Sequence, residues 1–112
     1  MTIPELKNRI LTGEDSFTQF KTKSIRAREL AKEFVAFSNA EGGVILFGVS
    51  DEGIILGLAR DEVEEIGQLV GNVANENVKP PIYPLSETIS IEDKIVIVVS
   101  IREEFRCIIS RD

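Results

Sequence analysis

Histidine and tryptophan are absent from these 112 residues, and cysteine, methionine and tyrosine each occur once. Without histidine, a serine or cysteine nucleophile has no imidazole to take its proton, and a structural zinc site has no ligand set. A Ser-Lys pair stays formally open, but no local signature supports one. The lone Cys107 has no partner for an internal disulfide, which suits a reducing compartment. Long apolar runs are missing as well. Stretches such as Ile95 to Val99 fall far short of the about 20 residues needed to cross a bilayer. No basic, apolar and small-residue series opens the chain, so no secretory signal is expected. These absences point to a cytoplasmic domain with no membrane partner.

What is present describes one folded unit. Apolar residues make up 43% and charged residues 29%, and the length fits a single domain. The net charge of −6 has the wrong sign for an indiscriminate nucleic-acid binder. Its distribution is uneven. Residues 1–32 hold seven bases (Lys7, Arg9, Lys21, Lys23, Arg26, Arg28, Lys32) against four acids (Glu5, Glu14, Asp15, Glu29). The remainder is strongly acidic, so one basic face can still meet an anionic partner. The same residues also read as an ordinary solvated helix face.

Periodicity sets out the elements. Ile3, Leu6, Ile10 and Leu11 predict a helical arm over 1–12, ended by Gly13. Phe17 to Lys23 alternates as an edge strand, where lysines discourage pairing. Ser24 suits the N-cap of a helix carrying Leu30, Phe34 and Phe37, stopped by Asn39, Gly42 and Gly43. Val44 to Val49 reads as a buried strand. Ser50 to Gly53 turns the chain, and Ile54 to Leu58 is expected to return as its hairpin partner. Asp61 and Glu64 form the capping box of a further helix, buried through Val63, Ile66, Leu69, Val70 and Val73 and broken by Asn75–Asn77 with Pro80 and Pro81. Leu85, Ile89 and Ile91 mark a half-buried strand, and Lys94 to Ile101 a central one. A short strand within 105–109 completes the pattern. The expectation is an α+β domain, a mixed sheet with two main helices packed on one face.

Several residues could carry chemistry. Gly48 and Gly53 have the spacing of a phosphate-cradling loop, but Ile54 and Ile55 stand where lysine and a hydroxyl are required. With no complete ATP-binding motif, no cofactor is expected. Glu14 and Asp51 lie at predicted strand ends, and converging carboxylates could hold Mg²⁺. Each also reads plainly as a solvated loop or turn acid, so no metal is assigned. Lys21 and Lys23 share one strand face, while Arg26, Arg28 and Lys32 occupy the first turns of the next helix. Backbone amides at that helix start favour anions. These five residues are the candidate phosphate contacts, with Phe20 and Tyr83 the aromatics considered for base stacking.

The stretch Gly13 to Lys21, followed by AFSNAEGGVILFGVSDEGIILGL over 36–58, resembles the Schlafen-type AlbA-like domain, also called a divergent AAA domain. The resemblance spans about residues 12–101. It implies an AlbA-like α+β fold near the N-terminus of a longer bacterial protein, among transcriptional regulators and RecG-related proteins named as helicases. On that reading 1–12 is an arm, 13–101 the nucleic-acid-binding domain, and 102–112 an extension toward a downstream winged-helix or similar module. The animal relatives carry a duplicated version that cleaves structured RNA with three metal-binding carboxylates. Carried over by position, Glu14 matches the first acid of Glu-x-x-x-x-Glu-Phe-Lys, and Asp51 the acid after the glycine-rich strand. Gln19 stands at the second acid, and Lys21 keeps the lysine. A neutral amide is a far poorer Mg²⁺ ligand, which argues against catalysis. The expected function is therefore phosphate binding to DNA or RNA, in transcription regulation or a RecG-related context. A relic metal-dependent endoribonuclease and a self-associating module are the alternatives.

Overall fold

The computed structural model describes residues 1–104 and 107–110. Its first element, α1 (Ile3–Thr12), begins where Thr2 Oγ1 accepts the Glu5 N–H and ends at Gly13, whose φ of 87° suits glycine. There follow β1 (Thr18–Lys21), α2 (Ala27–Ser38), β2 (Gly43–Phe47) and α3 (Arg60–Asn72), which runs into a π-helical turn at Val73–Asn77. The chain closes with β3 (Val78–Lys79), β4 (Leu85–Ile91), β5 (Lys94–Ile101) and β6 (Ile108–Ile109).

Four strands form the main sheet in the order β1-β2-β5-β4. β1 and β2 are parallel, which the intervening α2 allows, and β5 runs antiparallel to both β2 and β4. β5 is internal, as its apolar sequence predicts. Alternation sends its side chains to opposite faces. Ile97, Val99 and Ile101 join Ile45 and Phe47 beneath α2 and α3, contributed by Leu30, Phe34, Ile66 and Val70. Val96 and Val98 join Val44, Leu46 and Phe20 beneath α1, through Leu6 and Ile10. The two main helices thus share one face, and the N-terminal helix covers the other. No helix among the described residues is long and apolar enough to cross a membrane.

Three local expectations are corrected. Ser24 does not cap α2; Arg26 is the N-cap residue, and no side chain accepts from the first turn. The expected strand at Ile54–Leu58 does not form beyond an isolated bridge between Val49 and Ile55. The reason is topological: β2 is already paired with β1 and β5, so a hairpin partner has no free edge to join. Instead the Gly48 carbonyl gathers the Leu56 and Gly57 N–H groups at 2.8 and 2.9 Å, and Leu58 N–H reaches Ile95 O. Finally, α3 starts two residues earlier than the Asp61–Glu64 box. Ala59 is its N-cap, and the Glu62 carboxylate accepts the Ala59 N–H at 2.9 Å.

Of the expected C-terminal strand region, Phe105 and Arg106 lie outside the described residues. The part that is described packs into the core. Cys107 is buried, and β6 pairs antiparallel with β3. Asn39, just past α2, clamps this segment. Its Nδ2 donates to Cys107 O at 2.8 Å while its Oδ1 accepts the Cys107 N–H at 2.9 Å. One side-chain amide therefore does the work of a β-bridge and fixes β6 beside α2.

Candidate nucleic-acid interface

The candidate cations divide into two environments. On β1, alternation turns Phe20 toward α1 and Lys21 toward α2. There Lys21 Nζ meets Glu33 Oε1 at 2.9 Å, with 22% and 21% of the two side chains exposed. The charge of Lys21 is therefore matched inside the fold. Glu33 Oε2 is buried without a hydrogen bond, so the pair depends on that single contact.

Lys23, Arg26, Arg28 and Lys32 are exposed, and none of them forms an ion pair among the described residues. Helix geometry explains the separation. At about 100° per residue, Arg28 and Lys32 make one strip along α2. Glu29 and Glu33 make the adjacent strip on the side facing β1, which is why Glu33 reaches Lys21. The sequence offers those glutamates as partners for Arg28, but the register delivers one of them to the strand.

Lys23 and Arg26 precede α2 directly. Because Arg26 supplies no side-chain cap, the first-turn amides have no side-chain acceptor. Helix N-termini favour anions, so the amides and side chains act in the same sense. Beside this cluster lies an open groove of about 1010 Å³ between α2 and β6, with Arg28 on its rim and Ala27, Ala31, Val35 and Ile108 along its walls.

The carboxylates tell a different story. Glu14 Oε1 accepts the outward Phe20 N–H at 2.7 Å, sealing the open edge of β1. Asp15 continues this arrangement, exchanging backbone hydrogen bonds with Thr18 at 3.1 and 3.5 Å. Asp51 sits exposed in the Ser50–Gly53 turn, closed by Gly53 N–H to Ser50 O at 2.9 Å. Gln19 Nε2 reaches only the Asp15 carbonyl, at 3.4 Å. No group of three or more Asp, Glu, Cys or His able to hold a metal comes together among the described residues. Gly48 and Gly53 have φ of 101° and 82°, and no helix follows them until Arg60, unlike a phosphate loop that leads straight into one.

Of the two aromatics considered for stacking, Phe20 is 2% exposed and belongs to the core, whereas Tyr83 is 82% exposed. Phe17, at 44%, is the aromatic that sequence reading passed over. A second omission is Arg9. Its Nη1 donates to Thr18 Oγ1 at 2.7 Å, tying α1 to β1.

Comparison with solved structures finds the same fold. The N-terminal domain of a RecG-related protein from Nitrosomonas europaea, described as an ATP-dependent DNA helicase, superposes with a TM-score of 0.67 at 18% identity, over 88% of this chain and 71% of that one. The DIP2311 protein from Corynebacterium diphtheriae gives 0.61 at 15% identity, over 93% of this chain. This chain matches only 26% of that longer protein. The Schlafen, AlbA_2 family profile matches residues 14–110, which takes in the edge-strand motif, α2, the glycine-rich strand and β6. The chain belongs to the Schlafen AlbA_2 family.

Proposed function

We propose that this domain binds nucleic acid without cleaving it, holding backbone phosphates with Lys23, Arg26, Arg28 and Lys32 and the uncapped amides of α2. Lys21 stands in reserve, held by Glu33. What supports this reading is that four exposed cations, without an ion pair among the described residues, lie within ten residues spanning the uncapped start of α2 in an otherwise acidic chain. Family membership and the RecG-related neighbour support a nucleic-acid setting. Contacts of this kind fix affinity and register but carry no sequence code. Within a longer regulator or RecG-related protein the domain would therefore act as a tether to DNA or RNA, leaving selectivity to other parts.

The test is a low-salt titration of isotope-labelled protein with DNA and RNA oligonucleotides, following backbone amides. Shifts should concentrate over residues 19–32 and fade as salt rises. Absence of shifts at low salt, or an affinity indifferent to salt, overturns the proposal.

A further inference from the structure

The two edges of the main sheet are finished differently. On β1 the outward backbone groups are occupied, Thr18 by Asp15 and the Phe20 N–H by the Glu14 carboxylate. On β4 nothing comparable occurs among the described residues. β4 spans seven residues in unbroken register with β5, without a bulge, a proline or a lysine. Those are devices by which proteins keep an edge from pairing; the charge that β4 does carry, Glu87, is half-buried and held by the Met1 ammonium.

The hairpin fixes which groups point outward. Ile91 pairs with Lys94 across Glu92 and Asp93, both at positive φ (52° and 62°), the signature of a two-residue type I′ turn. In such a hairpin the residues flanking the turn exchange hydrogen bonds. Leu85, Glu87, Ile89 and Ile91 therefore aim their N–H and C=O groups at β5, and Ser86, Thr88 and Ser90 aim theirs outward.

We infer that β4 pairs antiparallel with β4 of a second copy about a two-fold axis at Thr88, joining the two sheets into one. This register matches every outward group. Thr88 faces Thr88, and Ser86 faces Ser90, so all of their N–H and C=O groups find partners. Glu87 comes opposite Ile89 rather than another acid, and its own charge is met by the Met1 ammonium at 3.0 Å. Leu85, 61% exposed, comes opposite Ile91, whose side chain already lies in its own core at 2% exposure. The ladder ends equally on both sides, because Pro84 has no N–H to give and Glu92 turns away. A two-fold contact demands a self-complementary surface, and this strand supplies one. The inference is independent of phosphate binding, which uses the opposite edge of the sheet and α2, so the two proposals fail separately.

The test is sedimentation equilibrium of the 112-residue chain over a concentration series, with amide hydrogen exchange read on the same samples. The average mass should rise toward twice that of the monomer, and the Ser86, Thr88 and Ser90 amides should gain protection in step. Thr88→Pro removes the central N–H without touching the β5 ladder, and Thr88→Lys sets two ammonium groups across the axis. Each should give monomer mass with unchanged far-UV circular dichroism, and Thr88→Lys serves alone if the proline variant does not fold. A wild-type chain that stays monomeric to millimolar concentration overturns the inference. So does a dimer that persists in folded Thr88→Lys, or protection of those three amides that appears only with a different added partner.

Discussion

Replacing Arg28 with alanine removes one of four unmatched cations at the start of α2, whereas replacing Lys21 removes a cation already matched by Glu33. The two substitutions lower the net charge equally but should affect nucleic-acid binding differently. With four phosphates contacted, the logarithm of the binding constant on duplex DNA should fall against log salt with a slope of about −3.6. Between about 50 and 200 mM salt that is roughly a 150-fold loss of affinity. Arg28→Ala should flatten the slope to about −2.7, cutting the loss to roughly 40-fold. Lys21→Ala should leave the slope where it was. Glu33→Ala should do the reverse, releasing Lys21 as a fifth contact and steepening the slope to about −4.5. Fluorescence anisotropy of a labelled duplex across a salt series measures all four proteins. The reasoning is refuted if Lys21→Ala and Arg28→Ala flatten the slope alike, or if Glu33→Ala leaves it unchanged.

The remaining expectations concern stability and are read by chemical denaturation. Lys21→Ala strands a mostly buried Glu33 and should cost about 1–3 kcal/mol; a change within error would mean that the pair is solvated and weak. Asn39→Ala removes both hydrogen bonds to Cys107 and should cost about 2 kcal/mol, with faster thiol labelling of Cys107 as β6 loosens. Unaltered labelling would show that β6 holds without the clamp. Glu14→Ala should cost about 1 kcal/mol by leaving the Phe20 N–H open, and should not change nucleic-acid affinity. Gly43→Ala would set a methyl group into the Phe37 ring and should cost about 1–3 kcal/mol through overpacking.

The architecture was legible wherever burial alone dictates pattern. The uninterrupted apolar run of β5 announced a strand covered on both faces, and α2 announced its buried stripe through Leu30, Phe34 and Phe37. Reading failed where the outcome depended on which partners were already engaged. Ile54–Leu58 has strand composition, yet β2 had no edge left to give it. Ser24 has the chemistry of a cap, but α2 begins only at Ala27. For Lys21, a sequence shows four neighbouring cations and two nearby glutamates without saying who meets whom. The answer lies in the angle at which α2 crosses β1, a tertiary quantity. Arg9 was passed over for the same reason, since its partner Thr18 is on another element.

The family's most specific residues turn out to be structural in this chain, which bears on how function is assigned here. Gly42 holds φ of 81° with a built Cβ only 2.6 Å from Ile101 O, and Gly43 has the Phe37 ring where a side chain would go. Both therefore permit the tight passage from α2 into β2. Asn39 secures β6, and Glu14 seals the β1 edge. A carboxylate engaged by a strand amide at 2.7 Å has one oxygen committed to the fold, and Gln19 beside it cannot supply the negative charge that a hard cation requires. The motif string thus makes contacts that hold the scaffold together. The basic residues from Lys23 to Lys32, proposed above to hold phosphates, fall between its two halves.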